Sequence, residues 1–87
     1  TIVIKNYWRK NGKEIDFIFL KNKEIIPAEI KNKTEISKED IKTLIYFLKK
    51  FKLKEGIIIY NGKSDEILLE NKIKIKLIPL WKWLLQQ

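Results

Sequence analysis

The sequence predicts a small α/β domain in which a mixed β-sheet of about five strands packs with two helices, in the order β-β-β-α-β-β-α. The 87 residues are 45% hydrophobic, which is enough apolar material for one core and for a single domain spanning residues 1–87. The apolar residues fall into short stretches with strand patterns and one longer stretch with helical spacing. Only three glycines and two prolines occur, so a disordered or collagen-like chain is excluded.

The first part of the chain predicts three antiparallel strands, at residues 2–9, 14–20 and 25–31. Asn11 and Gly12 form the dipeptide best suited to a two-residue hairpin turn, because both residues tolerate positive φ. Pro27 predicts a bulge in the third strand, since proline cannot donate a ladder hydrogen bond. One face of the second strand is predicted to carry Ile15, Phe17 and Phe19.

The second part of the chain predicts a helix, two strands and a terminal helix. Ser37 and Asp40 have the spacing of a capping box at a helix start, with Asp in the place of the usual Glu. Apolar residues then recur at helical spacing: Ile41, Leu44, Ile45, Leu48 and Phe51. Residues 56–60 form a short apolar strand bounded by glycine, and residues 73–77 alternate with lysines like a strand near a sheet edge. Pro79 fits the first turn of the terminal helix.

The charge balance indicates an affinity for polyanions. Nineteen Lys and Arg residues stand against eleven Asp and Glu residues, which gives a net charge of +8, and nucleic acid is the first partner that such a charge suggests. A thermophile-type composition, rich in Lys and Ile and poor in Cys and Met, accounts for the same charge without a partner. No apolar run approaches the roughly 18 residues of a membrane span and no signal peptide opens the sequence, so we expect a cytoplasmic domain without a membrane partner.

The absence of two residue types limits the catalytic and metal-binding chemistry that this chain can perform. The chain has no Cys and no His, which excludes disulfides, zinc sites of the usual kind, thiol nucleophiles and imidazole bases. Catalysis in this chain would therefore use carboxylates, lysines or hydroxyls with an oxygen-liganded metal such as Mg²⁺ or Mn²⁺.

Two carboxylates of the second and third strands are predicted to face each other. If a two-residue turn joins these strands, Lys21 lies opposite Glu24, and the same register places Asp16 opposite Glu29. Lys31 lies on the same face as Glu29, about 7 Å further along the third strand. Two carboxylates on directly opposite residues of neighbouring strands repel each other unless a cation lies between them.

A divalent metal resolves that repulsion. Asp16, Glu29 and the backbone carbonyl of Ile30 supply hard oxygen ligands and leave room for water and a substrate phosphate. Lys31 would then orient the attacking water or stabilise charge that develops on phosphorus. This arrangement is typical of metal-assisted phosphodiester hydrolysis.

Three further residues are predicted to support the site from the first hairpin. The Asn-Gly turn places Arg9 opposite Glu14 and Tyr7 opposite Asp16, on the face that carries the candidate metal ligands. The alternative is a set of cross-strand ion pairs, Arg9–Glu14–Lys31, on a solvated face with Asp16 merely exposed.

A near match to a phosphate-binding loop does not predict nucleotide binding. Gly56 is followed after five residues by Gly62-Lys63-Ser64, whereas the P-loop requires a gap of four and a helix after the Ser. The intervening residues are apolar and β-branched, so we assign them to a strand and its turn and expect no nucleotide in this chain.

The residues then resemble a known family. Asp16, followed on the next strand by Glu29-Ile30-Lys31 and then by a helix and a strand, resembles the PD-(D/E)xK, or restriction-endonuclease-like, nuclease core. The resemblance is more specific over four segments: residues 7–9 (YWR), 14–17 (EIDF), 26–31 (IPAEIK) and 78–81 (IPLW). From about Tyr7 onward, the chain resembles the nuclease-like domain at the C terminus of archaeal and bacterial AAA-type ATPases.

This resemblance implies a fold, a site and a partner. It implies metal ligands at Asp16 and Glu29 and a catalytic lysine at Lys31. It also implies that the sequence is a fragment of a longer chain, with an N-terminal ATPase domain as its partner and with the N-terminal helix of the nuclease core missing.

Three classes of function follow from these observations. The first is a Mg²⁺- or Mn²⁺-dependent nuclease domain that cleaves DNA and is attached to an ATPase. The second is a nuclease-derived module that binds nucleic acid without turnover. The third is a docking or structural domain of the ATPase.

Overall fold

The computed structural model describes residues 2–10 and 13–85, and describes side chains from residue 15 to residue 85. Six strands and two α-helices follow one another along the chain: β1 (Ile2–Lys10), β2 (Lys13–Lys21), β3 (Glu24–Ile30), α1 (Lys42–Lys50), β4 (Glu55–Tyr60), β5 (Asp65–Leu68), β6 (Lys74–Pro79) and α2 (Leu80–Leu85). A single 3₁₀ turn at Glu39–Ile41 precedes α1.

The strands form one mixed sheet in the order β1-β2-β3-β4-β6-β5. β3, β4 and β6 are mutually parallel, and the remaining neighbours are antiparallel. The predicted α/β class, mixed sheet and two helices are confirmed, but the sheet has one strand more than the five predicted. The additional strand, β5, escaped prediction because it has four residues, lies at the sheet edge and is mostly exposed, so it lacks a strong apolar pattern.

The β2–β3 hairpin has the predicted register. Pairing runs without a shift from Lys21 with Glu24 to Phe17 with Ala28. The bulge predicted at Pro27 is therefore absent from this ladder. In a two-residue hairpin the closing pair exchanges both hydrogen bonds, so the position of Pro27, three pairs further on, needs no amide donor towards β2.

The irregularity lies instead between β1 and β2. The register shifts between Lys5 and Trp8, so that two residues of β1 face the single residue Asp16, as in a β-bulge. Alternation along β2 is interrupted at the same point, because Ile15 and Ile18 pack in one core cluster although they are three residues apart. The prediction that Ile15 shares a face with Phe17 and Phe19 is therefore wrong.

The sheet separates two apolar clusters. The larger cluster packs against α1 and comprises Ile15, Ile18, Ile41, Leu44, Phe47, Leu48, Ile58, Tyr60, Ile73, Ile75 and Leu77. The smaller cluster, with Trp83 of α2 against it, comprises Phe19, Ile26, Ala28, Ile57 and Ile59. Helix α1 contributes Phe47, which is 2% exposed, whereas Phe51 is 45% exposed. The helical stripe is confirmed except at its last position, because Phe51 follows the end of α1.

The start of α1 has the predicted capping box. The amide of Ser37 donates to Asp40 Oδ2 at 2.8 Å, and the amide of Asp40 donates to Ser37 Oγ at 3.4 Å. These reciprocal bonds satisfy two amide donors at the 3₁₀ turn that leads into α1.

The end of α1 forms a Schellman motif. The amide of Lys52 donates to the carbonyl of Lys49 at 3.3 Å, and that of Leu53 donates to the carbonyl of Leu48 at 2.8 Å. Lys52 therefore occupies the position that glycine usually takes, and it has φ of 54° in the left-handed region.

The turns of two hairpins also contain left-handed residues. Asn22 and Lys23, between β2 and β3, have φ of 52° and 69°, and Asn71 and Lys72, between β5 and β6, have φ of 61° and 62°. Two consecutive positive φ angles are typical of a type I′ turn, for which Asn-Gly is the preferred dipeptide. Lysine therefore stands where glycine is favoured in both turns.

Helix α2 exposes most of its apolar residues. Its exposed large side chains are Leu80, Trp81, Leu84 and Leu85, and Trp83 is the residue that packs on the sheet. Within the described part of the chain, none of the helices has the length and apolar character needed to cross a membrane.

Candidate functional site

The candidate site lies where the β2–β3 ladder ends. The last regular pair is Phe17 with Ala28, so Asp16 and Glu29 are the residues that adjoin this pair on β2 and β3. Here the amide of Ile30 donates to Asp16 Oδ2 at 2.9 Å. The Asp16 carboxylate thus accepts from an amide that would donate to a β2 carbonyl in a continued ladder.

Glu29 is the one buried charged residue among the side chains described, with 5% of its surface exposed. Its Oε1 lies 3.9 Å from Nζ of Lys31, whose side chain is 30% exposed. Removing a carboxylate from water is costly unless a cation or hydrogen bonds compensate for the lost hydration. Lys31 supplies a cation beside Glu29 and remains open to solvent on its other side.

The backbone of Ile30 connects the two acidic residues. In an extended strand, the N–H and C=O of one residue point towards the same neighbouring strand. Because the Ile30 amide points to Asp16, its carbonyl is directed to the same side of β3. The structure therefore brings Asp16, Ile30, Glu29 and Lys31 together at the end of one hairpin.

The donor set suits a hard cation with few protein ligands. Among residues 15–85, no group of three or more His, Cys, Asp or Glu side chains is arranged to hold a metal. Two carboxylates and a carbonyl remain, and Mg²⁺ is typically held by one or two carboxylates while it keeps several waters. The residues fit such an ion, and metal binding stays a prediction.

The three supporting residues are only partly placed. The side chains of Tyr7, Arg9 and Glu14 lie outside the described residues, as does the turn at residues 11–12. The backbone register pairs Arg9 with Glu14 as predicted. Tyr7 shares the position opposite Asp16 with its neighbour Asn6, because of the β1 bulge.

The segment after β3 carries polar contacts that were not predicted. Asn61 Nδ2 donates to Asn32 Oδ1 at 2.7 Å, and the Asn61 amide donates to the carbonyl of Lys33 at 2.8 Å. These bonds join the ends of β3 and β4 beside Lys31. The sequence does not predict this contact, because both asparagines lie in polar loops, where periodicity carries no information.

A second unpredicted contact fixes the same segment to the start of α1. Nζ of Lys33 lies 2.7 and 2.8 Å from the two carboxylate oxygens of Asp40. The Lys33 hydrogen bond, together with the one from the Ser37 amide, lowers the pKa of Asp40 from 3.8 to about 2. Asp40 therefore both caps the helix and holds the chain that leaves the candidate site.

The P-loop-like segment forms β4 and the turn that follows it, as predicted. Gly56 lies in β4 under Leu44 of α1, where a Cβ atom would approach the Leu44 side chain to 3.0 Å. Burial, with a further contribution from Asp65, raises the pKa of Tyr60, whose hydroxyl donates to the carbonyl of Lys63. A strand rather than a helix follows Ser64.

Comparison with protein families places the chain. The model of the family described as "Domain of unknown function (DUF4143)" matches residues 3–83. The chain belongs to this family, whose description assigns no activity. Comparison with curated proteins and with solved structures found no match.

Proposed function

We propose that the chain is a metal-dependent nuclease domain that hydrolyses phosphodiester bonds of DNA. The proposal rests on two adjacent contacts. The Ile30 amide donates a hydrogen bond to Asp16, and the buried Glu29 next to it in the chain lies beside Lys31. The buried carboxylate supports the proposal, because a carboxylate is seldom buried in a protein without a cation or hydrogen-bond donors beside it.

Each residue has a distinct role in this proposal. Asp16, Glu29 and the Ile30 carbonyl would hold Mg²⁺ or Mn²⁺, which when bound would activate water and neutralise phosphate charge. Lys31, as a compact point charge with three donors, would bind a phosphate oxygen or orient the attacking water. The hydrogen bond from the Ile30 amide fixes the Asp16 carboxylate before any ligand arrives.

We further infer that the domain has a restriction-endonuclease-like core and belongs to a longer chain with an AAA-type ATPase domain. In support, an antiparallel β1–β2–β3 meander is followed by α1 and by β4, which pairs in parallel with β3. The acidic residues lie on adjacent strands of this meander, in the order that the nuclease resemblance implies.

The test is cleavage of plasmid and linear DNA by the longer protein with Mg²⁺ or Mn²⁺. We expect cleavage that Glu29→Gln and Lys31→Met each reduce by about a hundredfold or more, because each removes a group that acts on the reacting phosphate. Lys63→Met is the control for loss of one surface charge. Cleavage that survives both site substitutions would refute the assignment.

A docking domain is the second candidate, and the exposed apolar face of α2 favours it. Trp81 and Leu84 are 65% and 61% exposed, and contiguous exposed apolar side chains often mark interaction sites. If α2 docks on the ATPase domain, Trp81→Gln with Leu84→Gln should separate one thermal transition of the full-length protein into two. The exposed Leu68→Gln is the control, and an unchanged transition in the double variant would count against docking.

A further inference from the structure

A lysine-rich groove of about 470 Å³ lies at the opposite end of the sheet from the candidate site. The turn before β3, the segment after α1 and the turn before β6 meet there, beside the starts of β3, β4 and β6. Five lysines line this groove: Lys23, Lys52, Lys54, Lys72 and Lys74. Glu24 and Glu55 are the carboxylates among its lining residues, so positive charge predominates.

Several of these charges are already engaged. Glu55 lies 3.5 Å from Lys76, and Lys74 lies 3.7 Å from Glu66. Lys54 Nζ donates to the carbonyl of Asn71 at 3.0 Å, which ties the segment after α1 to the turn before β6. These contacts connect segments that line the groove and neutralise part of its charge.

The other three lysines, Lys23, Lys52 and Lys72, are exposed. Within residues 15–85, none of the three forms an ion pair with a carboxylate. Each lines the groove from a different loop.

The same three lysines occupy left-handed backbone positions, with φ of 69°, 54° and 62°. Each position favours glycine or asparagine: the second central residue of a type I′ turn for Lys23 and Lys72, and the residue after the helix end for Lys52. A lysine-rich composition alone does not account for lysine at three sites where local backbone energetics oppose it. Conformational strain concentrated in one place is typical of a functional site.

We propose that this groove binds the sugar–phosphate backbone of nucleic acid. Its cations stand on flexible stems in an open groove, which suits successive phosphates better than one small anion in a rigid cradle. Glu24 and Glu29 are five residues apart along β3, or about 17 Å, so the groove is distinct from the candidate metal site. The proposal does not depend on cleavage and holds equally for a domain that binds DNA without turnover.

The test is the triple variant Lys23→Gly, Lys52→Gly and Lys72→Gly in the 87-residue chain. Glycine relieves the positive φ angles, so the variant should remain folded, as urea unfolding will show. Binding to a fluorescent 15-nucleotide single strand and to a 15-base-pair duplex is measured by anisotropy at several salt concentrations. We expect at least about tenfold weaker binding, and a salt slope smaller by about 2 for the single strand, because each lost phosphate contact removes about 0.7.

The matched control is Lys38→Gln, Lys49→Gln and Lys63→Gln, which removes the same charge from exposed residues that lie outside the groove and form no ion pair with a carboxylate of residues 15–85. We expect this control to lose less than threefold in affinity. Equal loss in the two triple variants would overturn the proposal, because net charge alone would then explain binding. Unchanged DNA binding in the glycine variant, with loss of binding to polyglutamate or to anionic vesicles, would overturn it in favour of another polyanion.

Manganese binding separates this proposal from the nuclease proposal. Paramagnetic broadening at Asp16 and Glu29 should be the same in the glycine variant and in the natural sequence. Loss of broadening at Glu29 in the glycine variant would show that the two sites are not independent and would contradict the proposal of a separate groove.

Discussion

Asp16 combines a backbone contact with a predicted ligand role, and the two can be separated by substitution. Its Oδ2 accepts from the Ile30 amide, so the carboxylate helps to hold β3 where regular pairing with β2 stops. A ligand that is positioned by a backbone donor needs less reorganisation when a cation arrives.

Asp16→Ala should lower the free energy of unfolding by about 1 kcal/mol, because the Ile30 amide loses its acceptor. Asp16→Asn keeps an oxygen acceptor without the charge, so its cost should be about 0.5 kcal/mol or less. Urea unfolding of the two variants beside the natural sequence measures both values. Equal destabilisation by the two substitutions would show that the charge, rather than the hydrogen bond, holds β3.

Asp40 makes stability depend on pH in the acid range. Its pKa is about 2 in the folded protein against an ordinary value of 3.8, so folding favours the ionised form. The resulting stabilisation is complete above pH 3.8 and is lost as the pH falls from about 4 to about 2.

We expect this loss in urea unfolding measured between pH 2 and pH 6, and we expect Asp40→Asn to have a flatter profile than the natural sequence. Lys33→Met should raise the pKa of Asp40, because the largest cause of the shift is the hydrogen bond from Lys33. An NMR titration that places the Asp40 midpoint near 3.8 in the natural sequence would contradict the account.

The sequence indicated which site residues are adjacent but not how they interact. Period-two alternation and a two-residue turn correctly predicted the β2–β3 register from Lys21 with Glu24 to Phe17 with Ala28. That Asp16 faces Glu29, one position beyond the last of these pairs, stays a prediction. Glu29 pairs with Ile58 of β4, so its environment includes a strand from a distant part of the chain. The contacts of Asn32 with Asn61 and of Lys33 with Asp40 join loops, and alternation carries no information about loops.

Three lysines, Lys23, Lys52 and Lys72, end or connect elements in the left-handed backbone conformation, which glycine and asparagine usually adopt. Lys52 ends α1 in a Schellman motif, where the Cβ atom of any residue other than glycine is unfavourable. The two hairpin turns likewise contain Asn-Lys where Asn-Gly is the preferred dipeptide.

Lys52→Gly should therefore raise the free energy of unfolding by about 0.5–1 kcal/mol, by relief of the positive φ at the helix end. Lys49→Gly, within the last turn of α1, should instead lower it by about 1 kcal/mol, because glycine is a poor helix former. Urea unfolding measures both changes. Destabilisation by Lys52→Gly would show that the lysine side chain, rather than the backbone, dominates at that position.

Elements with strong local signals were predictable, and those set by neighbours were not. The capping box of Ser37 with Asp40 follows from spacing alone and was confirmed. Strand β5 needs β6 as its template, and the face of Ile15 depends on a bulge in β1. Phe51 continues the helical stripe in sequence, but the chain leaves α1 before it reaches the core.

In the molecule as a whole, β3, β4 and β6 run parallel, so their starts lie at one end of the sheet and their ends at the other. The candidate site lies at the end of β3, with Glu29 on β3 and Asp16 on the adjacent β2. The lysine-rich groove lies at the starts of β3, β4 and β6. An acidic site and a basic surface on one small domain suit a protein that binds a phosphate polymer at one place and a metal at another.

We propose that Asp16, Glu29 and the Ile30 carbonyl form a metal site. Its most direct test is a Mn²⁺ titration of the isotope-labelled 87-residue chain, followed by paramagnetic broadening of backbone amide signals, with Glu29→Gln as the control. Metal binding at this site should give broadening centred on Asp16, Glu29 and Ile30 that Glu29→Gln removes. Weak broadening scattered over surface carboxylates such as Glu39, Asp65 and Glu70 would contradict it and favour the binding or docking function.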